Sequence, residues 1–136
     1  MGEDGCAWCG ERRDETGFGL RVWSGRVTDA YFARRAFARG CAVVVWRGRH
    51  VVEPIDLSPV EADLYHREVL TVGRAIRDCF RPARLDFVTA GDDEPHLHTH
   101  VTARYAGDPP DGRLIPPLLE EQVWRADAAA LRTLLN

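Results

Sequence analysis

The sequence predicts one domain in which a long helix packs across a β-sheet, and three stretches predict it. Ser58 to Phe80 carries an amphipathic helical pattern with a capped start. Cys41-Ala42-Val43-Val44-Val45-Trp46 is a β-branched run suited to the middle of a sheet. Pro95-His96-Leu97-His98-Thr99-His100-Val101 places histidines at every second position. On a strand, residues i, i+2 and i+4 share a face. His96, His98 and His100 would then form a row of imidazoles, with Leu97, Thr99 and Val101 turned toward a core. A helix cannot do this, because i and i+2 lie on different faces there.

Each element follows from local chemistry. Residues 1–18 are polar, with Gly5, Gly10 and Gly17, and form an arm or knuckle around Cys6-Ala7-Trp8-Cys9. A C-x-x-C of this kind is half a zinc site or a redox pair. Leu20 to Ser24 reads as a short strand that turns at Gly25, and Thr28 to Phe32 as a second strand. After the strand Cys41–Trp46 comes the basic turn Arg47-Gly48-Arg49-His50. Ser58-Pro59-Val60-Glu61 combines an N-cap serine, proline at N1 and glutamate at N3, a capping box. Tyr65, Val69, Val72, Ile76 and Phe80 make one apolar stripe behind it, and Arg81-Pro82 ends the helix. His66 lies off that stripe and reads as solvated. Leu85 to Thr89 is a further strand, and residues 90–94 turn into the histidine strand. Residues 107–117 are loop, Leu118 to Trp124 reads as extended, and Asp127 to Leu135 as a short terminal helix. Cys41 and Cys79 read as buried thiols.

Composition narrows the class of function. At 136 residues, 45% of them hydrophobic, the chain has material for one core and one domain. A formal net charge of -3, with arginines scattered among acids, argues against a nucleic-acid polymer or a membrane surface as partner. No stretch approaches the ~20 apolar residues of a membrane span. Met1 to Gly5 lacks the basic and apolar regions of a secretion signal, so the expected compartment is the cytoplasm.

The residues His96-Leu97-His98-Thr99-His100-Val101 resemble the signature of the histidine triad (HIT) family of nucleotide hydrolases and transferases. The similarity extends to Ala42–Trp46, the turn Arg47–Val51, the helix entry Asp56-Leu57-Ser58 and the stretch Leu85–Asp92. The resemblance implies a single α+β HIT-like domain. Its expected parts are an antiparallel sheet of about five strands, one long helix and short helical segments. A zinc-knuckle arm over 1–18 and a C-terminal loop and tail over 107–136 would flank that body. It also implies a homodimer. By position in the motif, His98 is the nucleophile that attacks the α-phosphorus of a nucleotide or dinucleotide. His100 would protonate or hydrogen-bond the phosphate and leaving group. Members with a leading C-x-x-C use it for zinc, which assigns Cys6, Cys9, His50 and His96 as ligands of a structural Zn2+. In a competing reading that site is empty and His96 assists catalysis directly.

Departures from the family pattern bear on the nucleotide grip. Ala33 stands where many members carry a ribose-binding aspartate. Asp86 and Asp92 stand where amides are common, and Ala103-Arg104 replaces proline-arginine. Asp86, Asp92 and Arg104 are therefore the candidate substrate contacts, although anionic groups near a polyphosphate repel it unless paired or protonated. The implied activity is transfer or hydrolysis at an α-phosphorus through a covalent histidine–nucleotide intermediate, on a dinucleoside polyphosphate or a nucleoside phosphoramidate. The alternative is a zinc-stabilised nucleotide-binding or scaffold protein with weak turnover. A sugar-phosphate nucleotidylyltransferase is disfavoured by His100, where such proteins carry glutamine, and by the short chain.

Overall fold

The computed structural model describes residues 6, 8–9, 12–34, 39–89, 95–107 and 120–136. The turn 90–94, which carries Asp92, and residues 108–119 lie outside them. The elements run β1 (Gly19–Ser24), β2 (Thr28–Ala33), β3 (Cys41–Trp46), a 3-10 turn (Pro54–Asp56), α1 (Pro59–Phe80), β4 (Arg84–Thr89), β5 (His98–Arg104) and α2 (Glu121–Leu135). All five strands form one antiparallel sheet in the order β1-β2-β3-β5-β4. The strand that carries His98 and His100 is therefore internal, hydrogen-bonded on both sides.

The two faces of the sheet are covered differently. Phe32, Val44, Leu97 and Val101 point from the sheet into the main core, where Val72 and Ile76 of α1 and Trp124 and Leu131 of α2 meet them. Burial of a side chain such as Ile76, which is fully enclosed, contributes about 1.5–3 kcal/mol, and Ile76→Ala would cost about 2–5 kcal/mol through the cavity it leaves. The opposite face presents Tyr31, Val43 and Val45, and the hydrophobic side chains packed against them, among the described residues, are Trp8 and Phe18. His98 pairs in register with Val45, and His100 with Val43 and Val88, so both imidazoles belong to this second face.

The predicted cap of α1 is present. The Ser58 hydroxyl accepts from the Glu61 amide at 3.2 Å, and the Glu61 carboxylate accepts from the Ser58 amide at 2.8 Å. At the other end Arg81 adopts a left-handed conformation with φ 51°. Among the described residues no helix is long and apolar enough to cross a membrane.

Two expectations need correction. Residues 121–124 are helical, not extended, and α2 begins at Glu121 instead of Asp127. Trp124, Ala128 and Leu131 follow i, i+4, i+7 spacing and are all buried, while the Trp124 indole N–H donates to the Ala33 carbonyl at 2.9 Å. That stripe outweighs the strand propensity of the preceding apolar residues. The C-terminal tail is thus a docked helix of 15 residues. The histidine strand also starts later than expected, at His98. Leu97 donates to Val51 at 2.6 Å and accepts from Trp46 at 3.0 Å, which bends the backbone there and turns His96 out of the ladder.

Candidate functional site

Three separate segments bring together Cys6, Cys9, His50 and His96. The arm supplies the cysteines, the turn after β3 supplies His50, and the lead into β5 supplies His96. One ligand atom from each lies within 4.8 Å of all the others. The His96 Nδ1 stands 3.3 Å from both sulfurs, and the His50 Nδ1 stands 2.9 Å from the Cys9 sulfur. The turn is folded by the Trp46 indole N–H, which donates to the Arg49 carbonyl at 3.0 Å, with Gly48 at φ 124°. That φ favours glycine, because a Cβ is strained there.

The chemistry of these four donors fits zinc. Two thiolates and two imidazoles complete a closed tetrahedral set of the structural type. His96 Nε2–H donates to the Trp46 carbonyl at 2.7 Å, so its Nδ1 carries the lone pair that faces the sulfurs. Burial, with the Cys9 hydrogen bond beside it, pushes the Cys6 thiol up. A divalent cation between the sulfurs is what would let both ionise at neutral pH.

His98 lies next to this cluster and is oriented by it. Its Nδ1–H donates to the main-chain carbonyl of His96 at 2.6 Å. The remaining nitrogen, Nε2, is then the unprotonated, nucleophilic one. The His100 ring crosses it nearly perpendicularly at 5.1 Å. Trp8, between the two cysteines, sets its ring edge-on to His98, with centroids 4.7 Å apart, and also touches Phe18 and His96. His98 is only 4% exposed as a result of this enclosure. Trp8 is a residue of this site that the sequence did not single out. The signal for its place was its position inside C-x-x-C, since whatever holds Cys6 and Cys9 also holds Trp8.

Of the predicted substrate contacts, Asp86 and Arg104 come together. Arg104 Nη1, on β5 with His100, lies 3.5 Å from an oxygen of Asp86 on the neighbouring β4, with Arg104 buried and Asp86 half-buried. The Asp86 charge is thereby paired, which relieves the repulsion expected of a lone carboxylate near phosphate. Asp92 lies outside the described residues. Arg47 and Arg49 are engaged elsewhere. Arg47 binds Asp29 and the carbonyls of Gly25, Arg26 and Thr28, and Arg49 binds Glu61 and the Asp56 carbonyl. Cys41 is buried and Cys79 half-buried, and neither is among the four clustered donors; His66 is exposed.

No family model and no curated protein matches the chain. Solved structures do. The chain is similar to a histidine triad protein from Bradyrhizobium japonicum at 23% identity, covering 88% of this chain and 92% of that one with a TM-score of 0.77. A histidine triad protein from Marinobacter aquaeolei VT8 is 20% identical over 87% and 89% of the two chains, TM-score 0.74. A Zn-bound histidine triad family protein from Mycobacterium smegmatis is 24% identical over 84% of each, TM-score 0.65. With its five-stranded antiparallel sheet, its two helices and His98 and His100 on the internal strand, the chain has the α+β fold of the histidine triad proteins.

Proposed function

We propose that this protein is a nucleotide hydrolase or nucleotidyl transferase that works through a covalent intermediate on His98. The observation that carries the reading is the hydrogen bond from His98 Nδ1 to the His96 carbonyl, which leaves Nε2 as the lone-pair nitrogen beside His100. In the first step Nε2 attacks the α-phosphorus. An N–P bond forms, the bond from phosphorus to the leaving group breaks, and the departing atom keeps the electron pair and takes a proton from His100. Positive charge that develops on the His98 ring is stabilised through Nδ1–H on the carbonyl. Water then attacks the same phosphorus, His100 accepts its proton, and the N–P bond breaks to restore His98. A dinucleoside polyphosphate or a nucleoside phosphoramidate meets these requirements. Cys6, Cys9, His50 and His96 would hold Zn2+, which supplies a cross-link between arm, turn and catalytic strand.

We also propose a homodimer through the β4 edge. Phe87 and Val88 are 44% and 50% exposed on that edge strand, an arrangement that favours pairing with a second sheet. A second functional reading, a binding protein with little turnover, is favoured by the enclosure of His98 under Trp8 and by Ala33 at the ribose-binding position. Intact mass after acid quenching with an adenylated substrate separates the two. A nucleotide-sized adduct in wild type and none in His98→Ala supports the enzyme. Full activity in His98→Ala removes it, and tight binding with neither adduct nor product selects the binding protein.

A further inference from the structure

We infer that Asp29 is a positioning residue of the metal centre, holding two ligand-bearing segments at a fixed separation. The inference rests on reading Cys6, Cys9, His50 and His96 as that centre. The Asp29 carboxylate is 5% exposed and receives Arg12 through two nitrogens at 2.6 Å each, Arg47 at 3.0 Å and the Ser24 hydroxyl at 2.6 Å. Arg21 approaches to 4.0 Å. Arg12 lies three residues after Cys9, and Arg47 three residues before His50. One buried carboxylate therefore ties down the arm that carries the cysteines and the turn that carries a histidine. Asp29 also pairs in register with Val45, and Val45 with His98, so this anchor shares a row of the sheet with the nucleophile.

The geometry is specific because the anchor is bidentate. A planar guanidinium held through Nε and Nη2 fixes both the direction and the distance of the Arg12 side chain. Arg47 is fixed further by three main-chain carbonyls, so its position relative to Asp29 does not adjust. The uncharged amide of an Asp29→Asn variant would leave three guanidiniums facing one another without the anion between them. The arm would then be free to shift relative to the turn, and the four donors would lose the preorganisation that makes them a tight site.

The test is chelator competition for Zn2+ on the full-length protein, with the Co2+ d–d spectrum as a second readout of ligand geometry. Asp29→Asn is compared with Asp127→Asn, another buried aspartate held bidentately by an arginine, Arg39 at 2.8 and 2.6 Å. That pair ties α2 to the segment before β3, away from the four donors. Zinc affinity should fall by about tenfold or more in Asp29→Asn, in the range that supporting residues of metal sites produce, with an altered Co2+ spectrum. Asp127→Asn should lower thermal stability and leave zinc affinity at the wild-type value. Wild-type affinity in Asp29→Asn, or an equal loss in Asp127→Asn, overturns the inference. A wild-type protein that takes up no Zn2+ overturns the metal centre itself, and the inference with it.

Discussion

Replacing Glu68 by alanine should be among the most damaging single changes outside the site. Glu68 projects from α1 to the turn between β1 and β2. One of its oxygens accepts from the Arg26 amide at 2.7 Å, and the other accepts from the Val27 amide at 3.1 Å and the Thr28 hydroxyl at 2.7 Å. Arg47 takes the Gly25 and Arg26 carbonyls of the same turn, so two side chains satisfy most of its polar backbone. Thr28 is fully buried, so no water replaces the lost acceptor there. Three bonds to an ionised acceptor are worth about 1.5–3 kcal/mol each, and the carboxylate's own desolvation offsets part of the sum. The net cost of Glu68→Ala is about 3–4 kcal/mol, or about 10–14 °C in Tm for a chain of this size. Urea unfolding followed by far-UV circular dichroism measures it, with an unchanged m-value marking a pure stability effect. Gly25 gives an internal check. A Cβ there would lie 2.3 Å from a Glu68 oxygen and 2.7 Å from the Trp23 ring, so Gly25→Ala displaces the carboxylate. Its cost should shrink when Glu68 is already alanine. A Glu68→Ala cost below about 1 kcal/mol, or strict additivity with Gly25→Ala, would refute the reasoning.

Arg81→Gly should stabilise the protein by about 0.5–1 kcal/mol, because Arg81 is exposed and sits at φ 51° where glycine carries no Cβ penalty; a lower urea midpoint would contradict this. Acid should weaken the Asp29 anchor. Burial alone would raise that carboxyl, but the Arg12 and Ser24 hydrogen bonds and the Arg12 and Arg47 charges outweigh it and hold it low. A group whose folded pKa is depressed contributes its stability above the unfolded value near ~3.9 and loses it as pH falls through the folded value. Unfolding midpoints taken below about pH 4 should therefore fall more steeply in wild type than in Asp29→Asn, and parallel curves would exclude the linkage. If the homodimer proposed above pairs through the exposed β4 edge, Val88→Lys should lower the sedimentation coefficient to that of a monomer without loss of helical signal; an unchanged coefficient would refute pairing through that edge.

What the sequence made legible was local. The Ser58–Glu61 box, the run Cys41–Trp46 and the alternation around His98 each state their structure within a few residues; the helix and β3 formed where those signals stand, and the histidine strand formed from His98 onward. The family resemblance then gathered Cys6, Cys9, His50 and His96, four residues whose spacing alone does not say that they meet. What escaped depends on partners far along the chain. Glu68 answers to Arg26, Val27 and Thr28, and Asp29 to Arg12 and Arg47, and nothing in a run of neighbours marks either carboxylate as buried. The start of α2 was misread for a related reason. Trp124 is apolar enough for a strand, and only its contacts with β2 and the sheet core select the helix.

The internal position of β5 sets where motion is allowed. A strand laddered on both sides releases its amides only when its neighbours let go, so deuterium should enter the His98 and His100 backbone at the rate of global opening. Within one protomer β4 has a ladder on one side only, and Trp8 and Cys9 are not part of the sheet, so there both can open in smaller, cheaper steps. The His98 imidazole thus stands on the part of the backbone expected to exchange most slowly, while the elements above and beside it belong to the faster parts.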